Sequence, residues 1–178
     1  MHQALDATIH SKAKVVVISS TWDSPNPNEV ILLKDGSVST FEKAFEKTVH
    51  AIMDAGKKIV FLIDTPRMPN EMENCMGLRP IHLVKGACSI PQNAYLKQVQ
   101  GQMKYFGQWA ARYPNDIFVI DSGSALCDGM VCHMLSPDGK PLYADRDHLT
   151  DLGGSYIAKD VWRKLEKIMP PSPNSSAR

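Results

Sequence analysis

Residues 143–154 hold the side chains of this sequence whose types and spacing could do chemistry. The segment reads YADRDHLTDLGG, in which Asp145 precedes His148 by three residues. In a loop that leads into a helix, this spacing lets the carboxylate accept the Nδ1 proton of the imidazole, so that Nε2 can act as a general base. Gly153 and Gly154 permit a close approach of the backbone. The segment therefore predicts an oriented histidine base.

A histidine base needs a nucleophile, and serines near the ends of apolar strands are the candidates. They are Ser19, Ser20, Ser24, Ser122 and Ser124. A turn or capping role is the expectation for each, because serine hydroxyls at strand-to-loop junctions bond the local backbone. Ser122 is the best placed of the five, and the sequence assigns none of them as the nucleophile.

The four cysteines, Cys75, Cys88, Cys127 and Cys132, all lie in loop-like sequence. Four cysteines allow three pairings, and the local spacings favour Cys75 with Cys88 and Cys127 with Cys132. Free thiols and a zinc site are the alternatives, although Cys-x4-Cys followed by His133 departs from the usual ligand spacing. Disulfides would place the protein outside the reducing cytosol.

Composition predicts one compact domain. The chain has 178 residues, 43% of them hydrophobic, and a formal net charge of +1. This balance argues against nucleic acid as a partner, because such binding needs clustered Lys and Arg. The apolar runs are far shorter than the roughly 20 residues of a membrane span. We expect a domain over residues 1–169 and a disordered tail over residues 170–178.

Alternating strands and helices must position the candidate residues. Apolar runs predict buried strands over residues 13–20, 58–64 and 117–121. After a Pro/Asn/Gly-rich loop, Ser39 is predicted to cap a helix that Gly56 ends. Two further helices are predicted over residues 89–113 and 150–169, the last with Tyr156, Val161 and Leu165 facing inward. This alternation implies a parallel sheet in a three-layer α/β/α sandwich, with sites at the carboxyl ends of the strands.

The string YADRDHLTDLGG resembles the last motif of SGNH (GDSL-like) hydrolases, Asp-x-x-His-Leu-Ser/Thr-x-x-Gly-Ala/Gly. More narrowly, the chain is similar to SGNH domains fused C-terminally to membrane acyltransferases that O-acetylate bacterial surface polysaccharides such as O-antigen. Three further features carry this resemblance: a strand ending in Trp (VVVISSTW), a cysteine pair after the second strand, and the string VIDSGSALCDGMVC. The resemblance covers nearly the whole chain and implies an SGNH/flavodoxin-like fold.

The resemblance also implies roles for particular residues. Asp145 and His148 would be two members of a Ser-His-Asp triad that needs no metal or cofactor. Trp22 would contact the substrate, with a place in the core as the alternative. The two local disulfides gain support, as does a periplasmic location in which an upstream integral membrane acyltransferase domain tethers the protein to the inner membrane. The implied partners are an acyl donor and a polysaccharide acceptor.

The N-terminal part of the sequence departs from the family pattern. SGNH domains carry their nucleophile in a Gly-Asp-Ser motif after an N-terminal strand, and this sequence contains no Gly-Asp-Ser. We therefore expect a partial SGNH domain that lacks its first strand and its serine, is inactive alone, and exposes a sheet edge. A secreted SGNH carbohydrate esterase and a non-catalytic carbohydrate-binding or interaction domain are the alternatives.

Other charged residues are expected to be structural. Asp147 is predicted to be an N-terminal charge on the last helix, where it would complement the helix dipole. Surface roles are predicted for Arg67 and Arg79, with contact to an anionic substrate as the alternative. His82 and His133 are expected in loops or in contact with solvent.

Overall fold

The computed structural model describes residues 2–20, 22, 26–33, 36–69, 75 and 88–169, so Ser24, Arg79, His82 and the predicted tail lie outside the described residues. The α-helices of the described part are α1 (His2–His10), α2 (Phe41–Asp54), α3 (Gln92–Arg112) and α4 (Asp151–Glu166), and a 3₁₀ helix spans Gly123–Leu126. Its strands are β1 (Val15–Ile18), β2 (Val30–Leu32), β3 (Val38–Thr40), β4 (Lys58–Ile63), β5 (Ser89–Pro91), β6 (Ile117–Asp121) and β7 (Val131–His133). None of these helices is long and apolar enough to cross a membrane.

Three of the strands form one sheet in the order β1-β4-β6. β1 runs parallel to β4, with Val15 opposite Lys58 and Ile18 opposite Phe61. In β4, Ile59, Val60 and Phe61 are fully buried. In β1, by contrast, Val17 is 44% exposed, as expected of a strand at the edge of a sheet. The predicted α/β fold with a parallel sheet is confirmed.

The chain divides into two compact units. The first comprises Met1–Leu62 and Gly101–Val119, and the second comprises Ile63–Gln100 and Ile120–Arg178. An aromatic cluster forms the core of the first unit. Its centre is Phe45, whose ring centroid lies 5.4 to 6.0 Å from those of Phe41, Phe61, Tyr105, Phe106 and Trp109. Such rings bury large apolar areas and so contribute much of the stability of a core. A single domain over residues 1–169 stays a prediction.

Two predicted helix starts are wrong by one to three residues. Thr40, rather than Ser39, caps α2, because Thr40 Oγ1 accepts the N–H of Lys43 at 3.3 Å. Both residues belong to β3, and Thr40 is its last residue. The third helix begins at Gln92 because the three residues before it form β5, which pairs antiparallel with β7.

The segment predicted as a loop before α2 contains a hairpin of β2 and β3. Its turn is closed by the N–H of Leu33, which donates to Ser37 O at 2.8 Å. Gly36 within the turn has a φ of +81°, a conformation that glycine adopts without steric penalty. The apolar side chains of Val30 and Leu32 are 70% and 76% exposed. The hairpin therefore has no buried face that an alternating pattern could have revealed.

Both disulfides favoured by the spacing are present in the second unit, Cys75–Cys88 and Cys127–Cys132. In the structure all four cysteines are paired in this way, and none has a free thiol. The prediction that every cysteine lies in a loop is wrong for Cys132, which is fully buried within β7. Beside it, the N–H of Met134 donates to Cys88 O at 2.8 Å. Both disulfides are thereby joined to the β5–β7 ribbon.

A ladder of backbone hydrogen bonds leads from this ribbon to the first turn of α4. Met134 O accepts the N–H of Leu142 at 2.8 Å, and Leu142 O accepts the N–H of Thr150 at 3.0 Å. Thr150 caps α4 by accepting the N–H of Gly153 at 3.2 Å. A Cβ on Gly153 would lie 2.0 Å from Leu142 O, so the close approach requires glycine. Residues 143–149, between these contacts, are held at both ends.

Candidate active site

Asp145 and His148 are brought together as the spacing predicts. Asp145 Oδ2 lies 2.7 Å from His148 Nδ1. The other carboxylate oxygen, Oδ1, accepts the backbone N–H groups of Asp147 and His148, each at 2.8 Å. The loop is closed by the N–H of Ala144, which donates to His148 O at 2.8 Å. Because Nδ1 is engaged and the His148 side chain is 80% exposed, Nε2 is the ring nitrogen available for proton transfer.

The surroundings of Asp145 keep its carboxyl group charged. Its pKa is lowered to about 2, first by the backbone N–H groups of Asp147 and His148 and then by the side chain of His148. Hydrogen bonds to the charged form of a carboxyl group favour that form. The carboxylate is therefore an acceptor for the imidazole over the whole physiological pH range.

We expect the Asp145 carboxyl group to titrate with a midpoint near pH 2. Because this folded pKa lies below the ordinary value of about 3.9, the contribution of the carboxylate to folding stability is complete above about pH 4. It is lost as the pH falls through about 2. The measurement is the carboxyl ¹³C shift as the pH is lowered from neutral through the expected midpoint, with Asp145→Asn to assign the signal. A completed transition near pH 4 would contradict the N–H contacts.

The prediction that Asp147 is a charge at the start of the last helix is wrong. α4 begins at Asp151, which supplies the acidic residue of its first turn. Asp147 Oδ1 instead accepts a hydrogen bond from Arg67 Nε at 2.8 Å. Arg67 has an exposed side chain, as predicted, and the pair is about half exposed at each partner. The pair links the loop after β4 to the residue that precedes His148.

Arg67 is also fixed through its backbone. Gln98, on α3, accepts the N–H of Arg67 with Oε1 at 2.9 Å and donates from Nε2 to its carbonyl oxygen at 2.9 Å. Both polar groups of one peptide residue are thus satisfied by a single side-chain amide. These bonds fix the backbone of Arg67, and the bond to Asp147 positions its side chain beside residues 143–149.

The residues that flank Arg67 contact the segment that carries the histidine. The hydroxyl of Tyr143 donates to Pro66 O at 2.8 Å. Met68 donates its N–H to Arg146 O at 2.9 Å, and Arg146 Nε donates to Met68 O at 3.1 Å. Pro66 and Met68 are buried. Hydrogen bonds therefore join the loop after β4 to residues 143–149 on both sides of Arg67.

Sequence reasoning missed Gln98 and Tyr143 as parts of this site. Their contacts join residues that are 31 and 77 positions apart, and no spacing rule detects a pair at such separations. The polar residues that end β4, from Asp64 to Arg67, were the available signal, because the carboxyl ends of strands in such sheets form sites.

A buried tyrosine connects the carboxyl ends of β4 and β6 through hydrogen bonds. The hydroxyl of Tyr95 donates to Asp121 Oδ1 and lies 3.0 Å from Asp64 O. Burial, followed by the hydrogen bond with Asp121, raises the pKa of Tyr95 well above its usual range. A Cβ on Gly123 would lie 2.5 Å from this hydroxyl. The cluster supports the strand ends rather than supplying a titrating group.

Ser122 and Ser124, two of the candidate serines, have structural roles. Ser122 Oγ donates to Ile63 O at 2.6 Å, and the residue is only 4% exposed. Ser124 Oγ donates to Asp121 O at 2.9 Å. Both hydroxyls bond the backbone as expected, so neither is presented as a nucleophile.

Trp22 belongs to the first unit, where its ring joins the aromatic cluster. Its ring centroid lies 4.7 Å from that of Phe106, in an edge-to-face arrangement. Trp22 Nε1 donates to Leu62 O at 3.1 Å, and Gln102 Nε2 donates to Trp22 O at 2.8 Å. These contacts favour the core alternative for Trp22, and its contact with substrate stays a prediction.

A second aspartate–histidine pair lies in the turn closed by Cys127–Cys132. His133 Nε2 is 2.9 Å from Asp128 Oδ2. Asp128 Oδ1 accepts the N–H groups of Met130 and Val131, each at 2.9 Å. This pair engages Nε2, whereas His148 is engaged through Nδ1. Among the described residues, no group of three or more His, Cys, Asp or Glu side chains could hold a metal ion.

Comparisons with known proteins give a family and a fold. A family model described as an SGNH domain fused to AT3 domains matches residues 1–163. Among solved structures, the chain is similar to the periplasmic domain of a lipopolysaccharide acetyltransferase from Salmonella ser. Paratyphi A, with a TM-score of 0.64 and 16% identity. The match covers 93% of this chain but only 61% of that one. At this identity the similarity concerns the fold. A comparison with curated proteins finds no match.

Proposed function

Because the chain belongs to the family of SGNH domains that are fused to AT3 domains, we propose that it supplies the histidine and aspartate of an O-acyltransferase. This enzyme would move acetyl groups onto hydroxyls of an O-antigen-like surface polysaccharide. The observation that carries the proposal is the Asp145–His148 pair, in which Nδ1 is held and the ring is exposed. The similar solved structure, a domain of a lipopolysaccharide acetyltransferase, supports the acetyl group and the type of acceptor.

The proposed reaction proceeds through an acyl-serine. A serine hydroxyl attacks the acyl donor while His148 Nε2 takes its proton, and the leaving group of the donor then departs with that proton. A sugar hydroxyl next attacks the acyl-serine and gives its proton to His148, which returns it to the serine. Asp145 holds the tautomer of His148 and stabilises the imidazolium. None of these steps calls for a metal ion or a cofactor.

The serine is proposed to come from a segment other than the residues described. The sequence contains no Gly-Asp-Ser, and the hydroxyls of Ser122 and Ser124 are bonded to backbone carbonyls. A further strand that pairs with the edge strand β1 would extend the sheet and could carry this residue. On this proposal the chain alone is inactive, because an oriented histidine without its nucleophile lacks the covalent step.

The proposed location is the periplasm, with the protein tethered to the inner membrane by the AT3 domain. Two disulfides support an oxidising compartment. The membrane domain would deliver the acyl donor, and a contact of Trp22 with the substrate stays a prediction. A net charge of +1 fits a glycan acceptor better than a nucleic acid.

The test is a His148→Ala substitution in the native host, with the O-acetyl content of the surface polysaccharide measured by ¹H NMR. We expect the acetyl signals to disappear, since loss of the base of such a triad lowers turnover by about 10⁶-fold. His133→Ala is the matched control, because His133 is also an exposed histidine bonded to an aspartate. It should leave the acetyl content unchanged.

Each alternative function predicts a different outcome. If the protein is an esterase, His148→Ala would raise the acetyl content of the polysaccharide. If it is a non-catalytic interaction domain, His148→Ala would leave the acetyl content unchanged. Either result would refute the acyltransferase. The absence of a nucleophile is tested separately with a serine-directed phosphonate probe on the isolated chain. Labelling that His148→Ala abolishes would overturn this part of the proposal.

A further inference from the structure

The outward face of α4 combines basic and aromatic side chains. Trp162 is 55% exposed, and Tyr156, which the sequence predicts to face inward, is 37% exposed. Lys159 lies three residues from each of them and Arg163 one turn beyond Lys159, so the four side chains share one face of the helix. The opposite face is buried, with Val161 at 8% exposure.

The charge of this face is positive. Residues 159–167 include four basic side chains and two acidic ones, Asp160 and Glu166. Asp160 is mostly covered and is engaged by Lys164 at 2.6 Å and by Arg163 at 3.2 Å. Lys159 and Lys167 are exposed beside them. A partner that meets this face therefore gains from carrying negative charge.

The ring of Trp162 is oriented along the helix. Its Nε1 donates to Glu166 Oε1 at 2.8 Å, which fixes the indole on the surface with its polar edge already satisfied. An exposed, oriented indole next to lysine and arginine is the combination that protein segments use at the boundary between lipid and water. In the same way, basic side chains near a bilayer surface attract anionic headgroups.

We propose that the outward face of α4 docks onto the headgroup layer of an anionic phospholipid bilayer. Trp162 would lie at the lipid–water boundary, and Lys159 and Arg163 would contact lipid phosphates. The inference rests on the membrane-tethered location proposed above, because a tether raises the effective concentration of the bilayer and makes a weak contact sufficient. Docking would set the height of the acetyl-transfer site above the membrane.

The experiment uses the whole chain and vesicles of phosphatidylcholine with or without phosphatidylglycerol. Trp109 is only 5% exposed and Trp22 packs in the aromatic cluster, so Trp162 should dominate any response to the bilayer. We expect co-sedimentation with the anionic vesicles, a blue shift of tryptophan emission and protection from acrylamide. Trp162→Phe should abolish the shift, and added salt should weaken binding.

A matched pair of variants tests the face itself. Lys159→Gln with Arg163→Gln should weaken binding roughly thirtyfold, since each basic residue at an anionic surface contributes about a fivefold factor. Lys43→Gln with Lys47→Gln removes the same charge from exposed positions one turn apart on α2 and should change binding little.

Three outcomes would overturn the proposal. One is equal loss of binding in both double variants, and another is equal binding to phosphatidylcholine alone. The third is a blue shift caused by soluble polygalacturonate in the absence of vesicle binding, which would assign the face to an acidic glycan. Vesicle binding requires neither the serine nor His148, so His148→Ala should bind vesicles normally. Failure of the docking proposal is thereby distinguished from failure of the acyltransferase.

Discussion

Gly153→Ala is expected to destabilise the protein by about 3 kcal/mol or more. The added Cβ would lie 2.0 Å from Leu142 O and 2.9 Å from its carbonyl carbon. Both atoms belong to the backbone, so no side-chain rotation relieves the overlap. The first turn of α4 must move away from Leu142 by more than about 1 Å to reach ordinary contact, which breaks the hydrogen bond from Thr150 N to Leu142 O. Urea denaturation of the isolated chain measures the loss.

Gly154→Ala is the matched control for this substitution. No atom lies within 4 Å of the position of its Cβ, and alanine favours the helix over glycine by up to about 1 kcal/mol. We expect Gly154→Ala to be neutral or slightly stabilising. Equal stabilities for the two variants would refute the close approach at Leu142.

If the proposed acyltransferase function is right, Gly153→Ala should also reduce acetyl transfer. Thr150, whose hydrogen bond to Leu142 is lost, follows His148 by only two residues. A shift of Thr150 therefore displaces the imidazole of His148. A displacement of about 1 Å at a catalytic group can cost about 100-fold in rate. In the native host, we expect Gly153→Ala to lower O-acetyl content while Gly154→Ala maintains it. Normal acetylation by Gly153→Ala would mean that α4 does not position His148.

Loss of both disulfides is expected to destabilise the protein by about 5 kcal/mol. Cys75 and Cys88 are separated by 13 residues, for which the loop-closure estimate is about 3 kcal/mol. Cys127 and Cys132 are separated by 5, for which it is about 2 kcal/mol. Total folding stabilities are commonly only 5–15 kcal/mol, so the reduced chain should be close to unfolding.

Double and quadruple Cys→Ala variants test this prediction by urea denaturation. The Cys75→Ala/Cys88→Ala pair should lose more stability than the Cys127→Ala/Cys132→Ala pair. Reductant should lower the stability of the natural chain to that of the quadruple variant and leave the quadruple variant unchanged. If all four thiols of the natural chain react with an alkylating agent before reduction, the disulfides and the periplasmic proposal both fail.

Local chemistry made part of the site predictable from sequence. Asp145, His148 and the N–H groups that fix them lie within four residues, so the spacing alone defines the geometry. The pairing of Cys127 with Cys132 was favoured for the same reason. The apolar runs that became β4 and β6 were predicted because a strand buried on both faces needs continuous hydrophobic residues.

The remaining parts depend on contacts that no local pattern encodes. Arg67 and Asp147 are 80 residues apart, and each had a reasonable local role that the ion pair replaces. Ser39 and Thr40 are adjacent hydroxyl residues of β3, and Thr40 caps α2 because it is the residue at which the strand ends and the helix begins, a boundary that the capping-box spacing does not fix. Two adjacent glycines open α4, but only the position of Leu142 shows that Gly153 is the constrained one.

The division into two units has a consequence for the order of synthesis. The first unit is discontinuous in sequence, because Met1–Leu62 is completed by Gly101–Val119. Phe45 and Phe61 find ring partners in Tyr105, Phe106 and Trp109, which emerge from the ribosome about forty residues after Phe61. The amino-terminal segment therefore cannot complete its core while it is being made. In the proposed periplasmic location, its apolar residues would need a holding chaperone during translocation until α3 has followed.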